Sequence, residues 1–426
     1  MKSVVLRRQS VPWRVLVQRA LDGSHDAFYW RVPATGTQLL GVGVADEWRG
    51  RGDQTTEAQR WLDSRFDEKT FVGNLPRGWF AATFDGEPGR AHWQGSPGLR
   101  VVQPRWLVMQ RGSSAEIVLN GTDKADLTAA RDEFESWAAG DLAPEVSSEP
   151  LGDGQWIEPK ADFTERIAAA IAALEQGPSK LVLGNAYHAP LTADQRRDAI
   201  DGLLTSAAPG MHFAYSHANG SVLAGCTPET LVRQTGPELA VHVLAGTRAR
   251  CDDPAEDAAR IADLRNNPKD RIEHQIVADG VVQSLGGMVR QLDLAAEPEV
   301  LTLRHLHHLE RYLWGRVQGG VGLFDLVSAL HPTPALAGLP KAEAMAFLAD
   351  HEPHHRGGFG APFGWIGGPR HGHVAVAIRS GLLGADCATI FAGAGIVHSS
   401  VPERELDEVR AKVVAIARQL FDWRAA

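Results

Sequence analysis

Glu405 and Glu408 stand three residues apart, with Lys412 a further helical turn along, so on a helix all three project from one face. Two carboxylates and an ammonium in line can hold a metal ion and an anion, or can form a solvated ladder of salt bridges. Glu273, in Arg271-Ile-Glu-His274, has the same two readings: metal ligand or surface acid. A hard cation such as Mg²⁺ is served by one or two carboxylates from different helices, completed by waters and a substrate oxygen. The histidines suggest a different metal. His305, His307 and His308 precede Glu310, and His351, His354 and His355 surround Glu352, but neither cluster has the helical pair of histidines with a placed glutamate that specifies a zinc hydrolase. The run Phe391-Ala-Gly-Ala-Gly-Ile396 lacks the third glycine and following helix of a dinucleotide fingerprint, so its glycines are read as letting a small anion approach backbone N–H groups.

Positioning these side chains requires several elements. A helix is expected from about Pro402 to Trp423 to carry the two acids and Lys412. Asn267 reads as an N-cap, with Pro268 at the first helical position and Asp270 near the positive end of the dipole, so a helix should carry Arg271 to Leu285. The segments Lys180–Leu183, His212–Tyr215, Ser221–Leu223, Leu239–Leu244, His373–Ile378 and Thr389–Val397 read as strands, and Phe163–Leu174, Ala193–Ser206 and the acidic stretch ending at Arg265 as helices. Before them, residues 1–145 alternate apolar-aromatic runs with turn residues, around a covering helix over Thr55–Phe66. Leu142–Asp153 reads as a linker. Strands do not alternate one for one with helices, so the expected class is α+β, with strands paired mostly by hairpins and helices over the sheet faces.

At 426 residues the chain can hold two or three domains or one large sheet-based one. Its net charge of -9, without a Lys/Arg block, disfavours a nucleic acid or anionic membrane as partner. Cys226, Cys251 and Cys387 are too scattered for a disulfide framework, which fits a reducing cytoplasm. Arg7, Arg8, Arg14 and Arg19 interrupt any signal-like or membrane-spanning run near the start, so no membrane association is expected. With no coiled coil or exposed apolar helix in view, the expectation is a monomer.

Taken in order, Gly225-Cys-Thr-Pro-Glu229, Leu244-Ala-Gly-Thr-Arg248, Asn267-Pro-Lys-Asp-Arg-Ile-Glu-His274, His331-Pro-Thr-Pro-Ala-Leu336, Glu352 to Trp365, and Phe391 to Val397 followed by Glu405 and Glu408 resemble the chorismate-binding enzymes. The resemblance is dense from Lys180 to Lys412 and looser over the N-terminal third. It implies large antiparallel sheets packed together with helices on the outer faces, in a single large domain. Residues 1–145 would be a β-rich part of that fold, and 155–426 the chorismate-binding catalytic region.

The resemblance further implies one Mg²⁺ on Glu273 and Glu408, with Glu405 and Asp270 supporting through water. Arg379 matches the residue that pairs with a substrate carboxylate, which a planar guanidinium can grip with two bonds. Lys412 and the backbone around Gly246, Thr247, Gly393 and Gly395 would complete the anion pocket, and His308 matches a histidine near the ring. Lys180 matches a water-activating base and Glu229 the acid that protonates a departing hydroxyl. The glutamic acid needs a raised pKa for this, so Glu229 is expected in a drier, less cationic part of the site.

Ala335 discriminates within the family, because nitrogen-transferring and salicylate-forming relatives usually carry Thr there. With Lys180 it favours isochorismate synthase, for menaquinone or siderophore biosynthesis. Salicylate synthase, or a noncatalytic family member binding an anion or a partner chain, is the alternative. Three positions depart from the family pattern: Asn185 replaces the usual Arg on the Lys180 strand, His242 replaces a Pro or acid, and Thr227 replaces Ser.

Overall fold

Ala27–Val32 and Thr37–Val42 pair as an antiparallel hairpin whose residues are buried on both sides. Phe28 and Trp30 point into one apolar layer and Ala27 and Tyr29 into another, the signature of a sheet covered on both faces. The computed structural model describes residues 1–66, 75–141, 151–175 and 177–421. The first part of the expected linker, up to residue 150, and the expected helix end at Trp423 lie outside the described residues.

Among the described residues the strands form two antiparallel sheets, one of 12 strands and one of 10. Both sheets mix early and late sequence. Ala27–Val32 pairs with Met211–Ser216 in the larger sheet, and Gly78–Ala82 pairs with Pro362–Gly368 in the smaller. An aromatic layer fills the space between them, with Phe28 stacked on Trp79 at 5.5 Å and Phe213 against Phe363 at 4.2 Å. Helices cover the outer faces: Pro402–Phe421 lies across the larger sheet, and Thr55–Arg65 with Leu323–Leu330 packs on the smaller one. The expected α+β class and single-domain architecture are therefore the observed ones.

Helix Pro268–Ser284 starts as read from the sequence, with the Asn267 side chain accepting hydrogen bonds from the backbone N–H groups of Lys269 and Asp270. The Lys180 strand is longer than expected and runs from Lys180 to Pro190. The 12-residue strand Leu306–Val317, the helices Trp13–Ala20, Lys124–Ala138 and Lys341–His351, and the edge strand Lys2–Arg8 were not legible beforehand. No described helix is long and apolar enough to cross a membrane.

Candidate active site

Only Pro228 and Glu229 separate the strand Val222–Thr227, in the larger sheet, from Thr230–Thr235, in the smaller. Alongside, Ala377, Ile378 and Arg379 return the chain from His371–Val376 in the smaller sheet to Ser380–Leu383 in the larger. Two neighbouring corners between the sheets thus present Glu229 and Arg379 to one cavity. It has an empty volume of about 850 Å³, partly open to solvent. Lys180, Gly246, Thr247, Glu273, His308, Ala335, Gly393, Gly395, Glu408 and Lys412 also line it. Asp270 and Glu405 line an adjoining pocket that shares Thr247 and Glu408 with the first.

Lys180 opens its strand at 1% exposure, and its Nζ lies 2.9 Å from Glu273 Oε1. Across the strand pair, Val182 faces Gly395. A Cβ on Gly395 would sit 2.2 Å from Glu273 Oε1 and 2.9 Å from Lys180 Cε, so any side chain there would part the pair. Burial works to raise the Glu273 carboxyl, but Lys180, Lys269 and Lys412 together hold it below its ordinary value. Lys412 donates to Gly393 O at 2.8 Å and to Glu408 Oε1 at 2.7 Å, which links the last helix to the glycine-rich strand.

Glu229 behaves differently. Burial pushes its carboxyl up to about 8, although Lys180 and Arg379 both pull it down. The expectation of a dry position holds, but that of a less cationic one does not: desolvation outweighs two nearby cations. Two of the departures from the family pattern hold its backbone. Thr227 Oγ1 accepts from the Glu229 N–H at 3.2 Å, and His242 bridges Pro228 O at 3.1 Å and Glu310 Oε2 at 2.7 Å.

Arg379 adopts φ +54°, a left-handed conformation that costs a non-glycine residue about 1 kcal/mol or more. Its carbonyl accepts from the Cys226 N–H, and its guanidinium Nη2 lies 2.6 Å from His308 Nε2. Burial lowers its pKa to about 10, against the pull of Glu408 and Glu229. Gly246, at φ +78°, forms a bulge opposite His308, and its carbonyl lies 2.9 Å from His308 Nδ1.

The third departure, Asn185, lies beside a buried ion pair. Arg166, on helix Lys160–Ala173, pairs with buried Glu158 through Nε and Nη2 and donates from Nη2 to Gly184 O at 2.6 Å. Asn185 itself exchanges hydrogen bonds with the Glu158 backbone. Nearby, Arg356 pairs with Glu352 and donates at 2.7 Å to the carbonyls of both Val182 and Leu336, while Glu352 accepts from the Gly184 N–H. Arg356 also lines the cavity, and nothing local in the sequence marks it: it and Glu352 lie beyond the end of helix Lys341–His351, so their pairing does not follow from helical spacing.

Carboxylate oxygens suit a hard cation, and Glu273 and Glu408 in one cavity fit a Mg²⁺ site completed by water and substrate oxygens. Behind them, burial and then repulsion from Glu408 raise Glu405, against the pull of Lys269; burial and Glu273 likewise raise Asp270, against that of Arg248. Each acid meets a cation of the chain itself: Glu405 pairs with Lys269 and Asp270 with Arg248. Among the described residues no three His, Cys, Asp or Glu side chains converge into a closed metal shell. His307 from the histidine cluster instead bridges Asp257 and Thr302, at 3.0 Å each.

Residues 1–421 match a family described as chorismate binding enzyme. The salicylate biosynthesis isochorismate synthase of Pseudomonas aeruginosa is 29% identical over 94% of this chain and 86% of its own length. The isochorismate synthase DhbC of Bacillus subtilis is 30% identical over 75% of this chain and 85% of its own. In fold, the chain is similar to the menaquinone-specific isochorismate synthase MenF from Escherichia coli, with a TM-score of 0.81 and 23% identity, over 99% of this chain and 95% of that one.

Proposed function

The chain belongs to the chorismate-binding enzymes, and from that membership we propose that it is an isochorismate synthase that isomerises chorismate. The observation that carries this is the placement of Glu229: its buried carboxyl, pushed up to about 8 by burial, lines the same cavity as Lys180, which puts a candidate acid and a candidate base in one site.

In the proposed reaction a water oxygen bonds to ring C2, the C1–C2 double bond moves to C1–C6 and the C5–C6 double bond to C4–C5, and the C4 hydroxyl leaves. Lys180, parted from Glu273 and relieved of its proton when substrate is bound, would take the proton of the incoming water. Glu229 gives its proton to the departing hydroxyl, so one water enters and one leaves. Arg379 and Lys412 hold substrate carboxylates. Glu273 and Glu408 would hold Mg²⁺, with Glu405 and Asp270 behind through water, and the ion would neutralise the ring carboxylate and orient the ring. Ala335 in place of Thr leaves no hydroxyl at that wall, which favours release of isochorismate over pyruvate elimination.

Purified protein incubated with chorismate and Mg²⁺ is expected to yield isochorismate, with turnover lost on chelation and recovered when Mg²⁺ is restored. Salicylate and pyruvate as the products would overturn the assignment in favour of salicylate synthase; bound chorismate without turnover would place the chain among noncatalytic relatives.

The acid role sets a pH dependence. Glu229 must be protonated to act and burial pushes its carboxyl up to about 8, so the rate is expected to fall as pH rises through that value. Glu229→Gln, which cannot release a proton, should lose most of the rate together with that alkaline limb. A wild-type rate that continues to climb above the Glu229 pKa would remove this residue from the acid role.

A further inference from the structure

His308 has both ring nitrogens engaged. Nε2 lies 2.6 Å from Arg379 Nη2, and Nδ1 lies 2.9 Å from Gly246 O and 3.2 Å from Thr247 Oγ1. A guanidinium only donates, so Nε2 must accept; Nδ1 then carries the proton and donates it to the Gly246 carbonyl. The ring is buried, with 4% exposure, so neither contact is readily exchanged for water. Both partners are held by backbone geometry: Gly246 O by the bulge between Ala245 and Thr247, and Arg379 by a left-handed residue whose carbonyl is tied to the Cys226 N–H.

We propose that His308 is a positioning residue that sets the angle of the Arg379 guanidinium toward the substrate carboxylate through an unprotonated Nε2, and that it carries no proton in the reaction. The chain of support runs from the Gly246 bulge through the imidazole to Arg379. Proton donation from Nε2 would break the bond to Arg379 and set two cations face to face in a buried space. Burial, followed by Arg379, holds the imidazole well below its ordinary pKa, in agreement with that geometry. Arg379 has five N–H donors, so one can be spent on His308 while the others remain for a carboxylate.

The part of this inference that concerns substrate rests on the chorismate reading, and the test separates the two. Nitrogen NMR of ¹⁵N-histidine-labelled protein, with the His308 signals assigned by their loss in His308→Gln, reads the tautomer without substrate. It should show a protonated Nδ1 and a bare Nε2, unchanged across roughly pH 6 to 9. Kinetics with chorismate should split in one direction. His308→Leu should raise KM about tenfold or more with a smaller effect on kcat, the scale of one hydrogen bond to a charged group. His308→Gln, which restores an acceptor for Arg379, should recover most of the lost KM. A protonated Nε2 in the wild-type spectrum would overturn the proposal, even in a protein that turns over no chorismate. So would a kcat lost equally in the Leu and Gln variants with KM unmoved.

Discussion

Replacing Lys180 by Ala is expected to lower turnover of chorismate by about 10²- to 10⁴-fold, the range of a positioned general base. Lys180→Arg should fail to a similar degree, because a guanidinium keeps the charge but cannot give up its proton in a protein. The two variants together separate base catalysis from charge. A role limited to attracting the anion would leave the Arg variant largely active, and a full rate in either would dismiss Lys180 as the base. Substrate binding should outlast the loss of rate in both, since Arg379 and Lys412 remain, and calorimetric titration with chorismate can read it.

The largest effect on stability is expected at Arg166. It is 7% exposed and neutralises Glu158, which is 5% exposed, while also satisfying Gly184 O. Arg166→Ala leaves a buried carboxylate without its cation, a change that typically costs about 3 to 5 kcal/mol. Urea denaturation should show a lowered midpoint with an unchanged slope. The double variant Arg166→Met, Glu158→Gln should lose much less, because no charge is then left unpaired. If the single variant shifts stability by less than about 1 kcal/mol, water reaches Glu158 and the pair is not the anchor described above.

These two residues also show what could be read in advance. Lys180 was legible because it stands at the head of an apolar strand in the order of motifs that marks the family. Arg166 was not, because it lies on a separate helix and its service to the Lys180 strand is a tertiary contact 18 residues from its acceptor. Sequence displayed Asn185 but not the helix side chain that binds its neighbour Gly184. The helices with strong caps were placed to within a few residues, as at Asn267, since cap chemistry is local. The strand Leu306–Val317 is not marked by apolar alternation, because its exposed positions carry Tyr312, Trp314 and Arg316 and its buried ones include His307 and Arg311. The electrostatic balance at Glu229 was misread for a similar reason. Nearby cations can be inferred from motifs, whereas the extent of desolvation depends on how two sheets close over a side chain.

The two corners that carry Glu229 and Arg379 restrict how this site can vary. Most enzymes diversify through loops that tolerate insertions at little cost. Here the connections are only two and three residues long and are bound into both sheets, so an added residue would shift the register of a strand and turn its side chains to the opposite face. Changes of chemistry on this scaffold are therefore expected to come by substitution in place, one side chain at a time, with the spacing from Gly225 to Thr230 and from Val376 to Ser380 fixed in length.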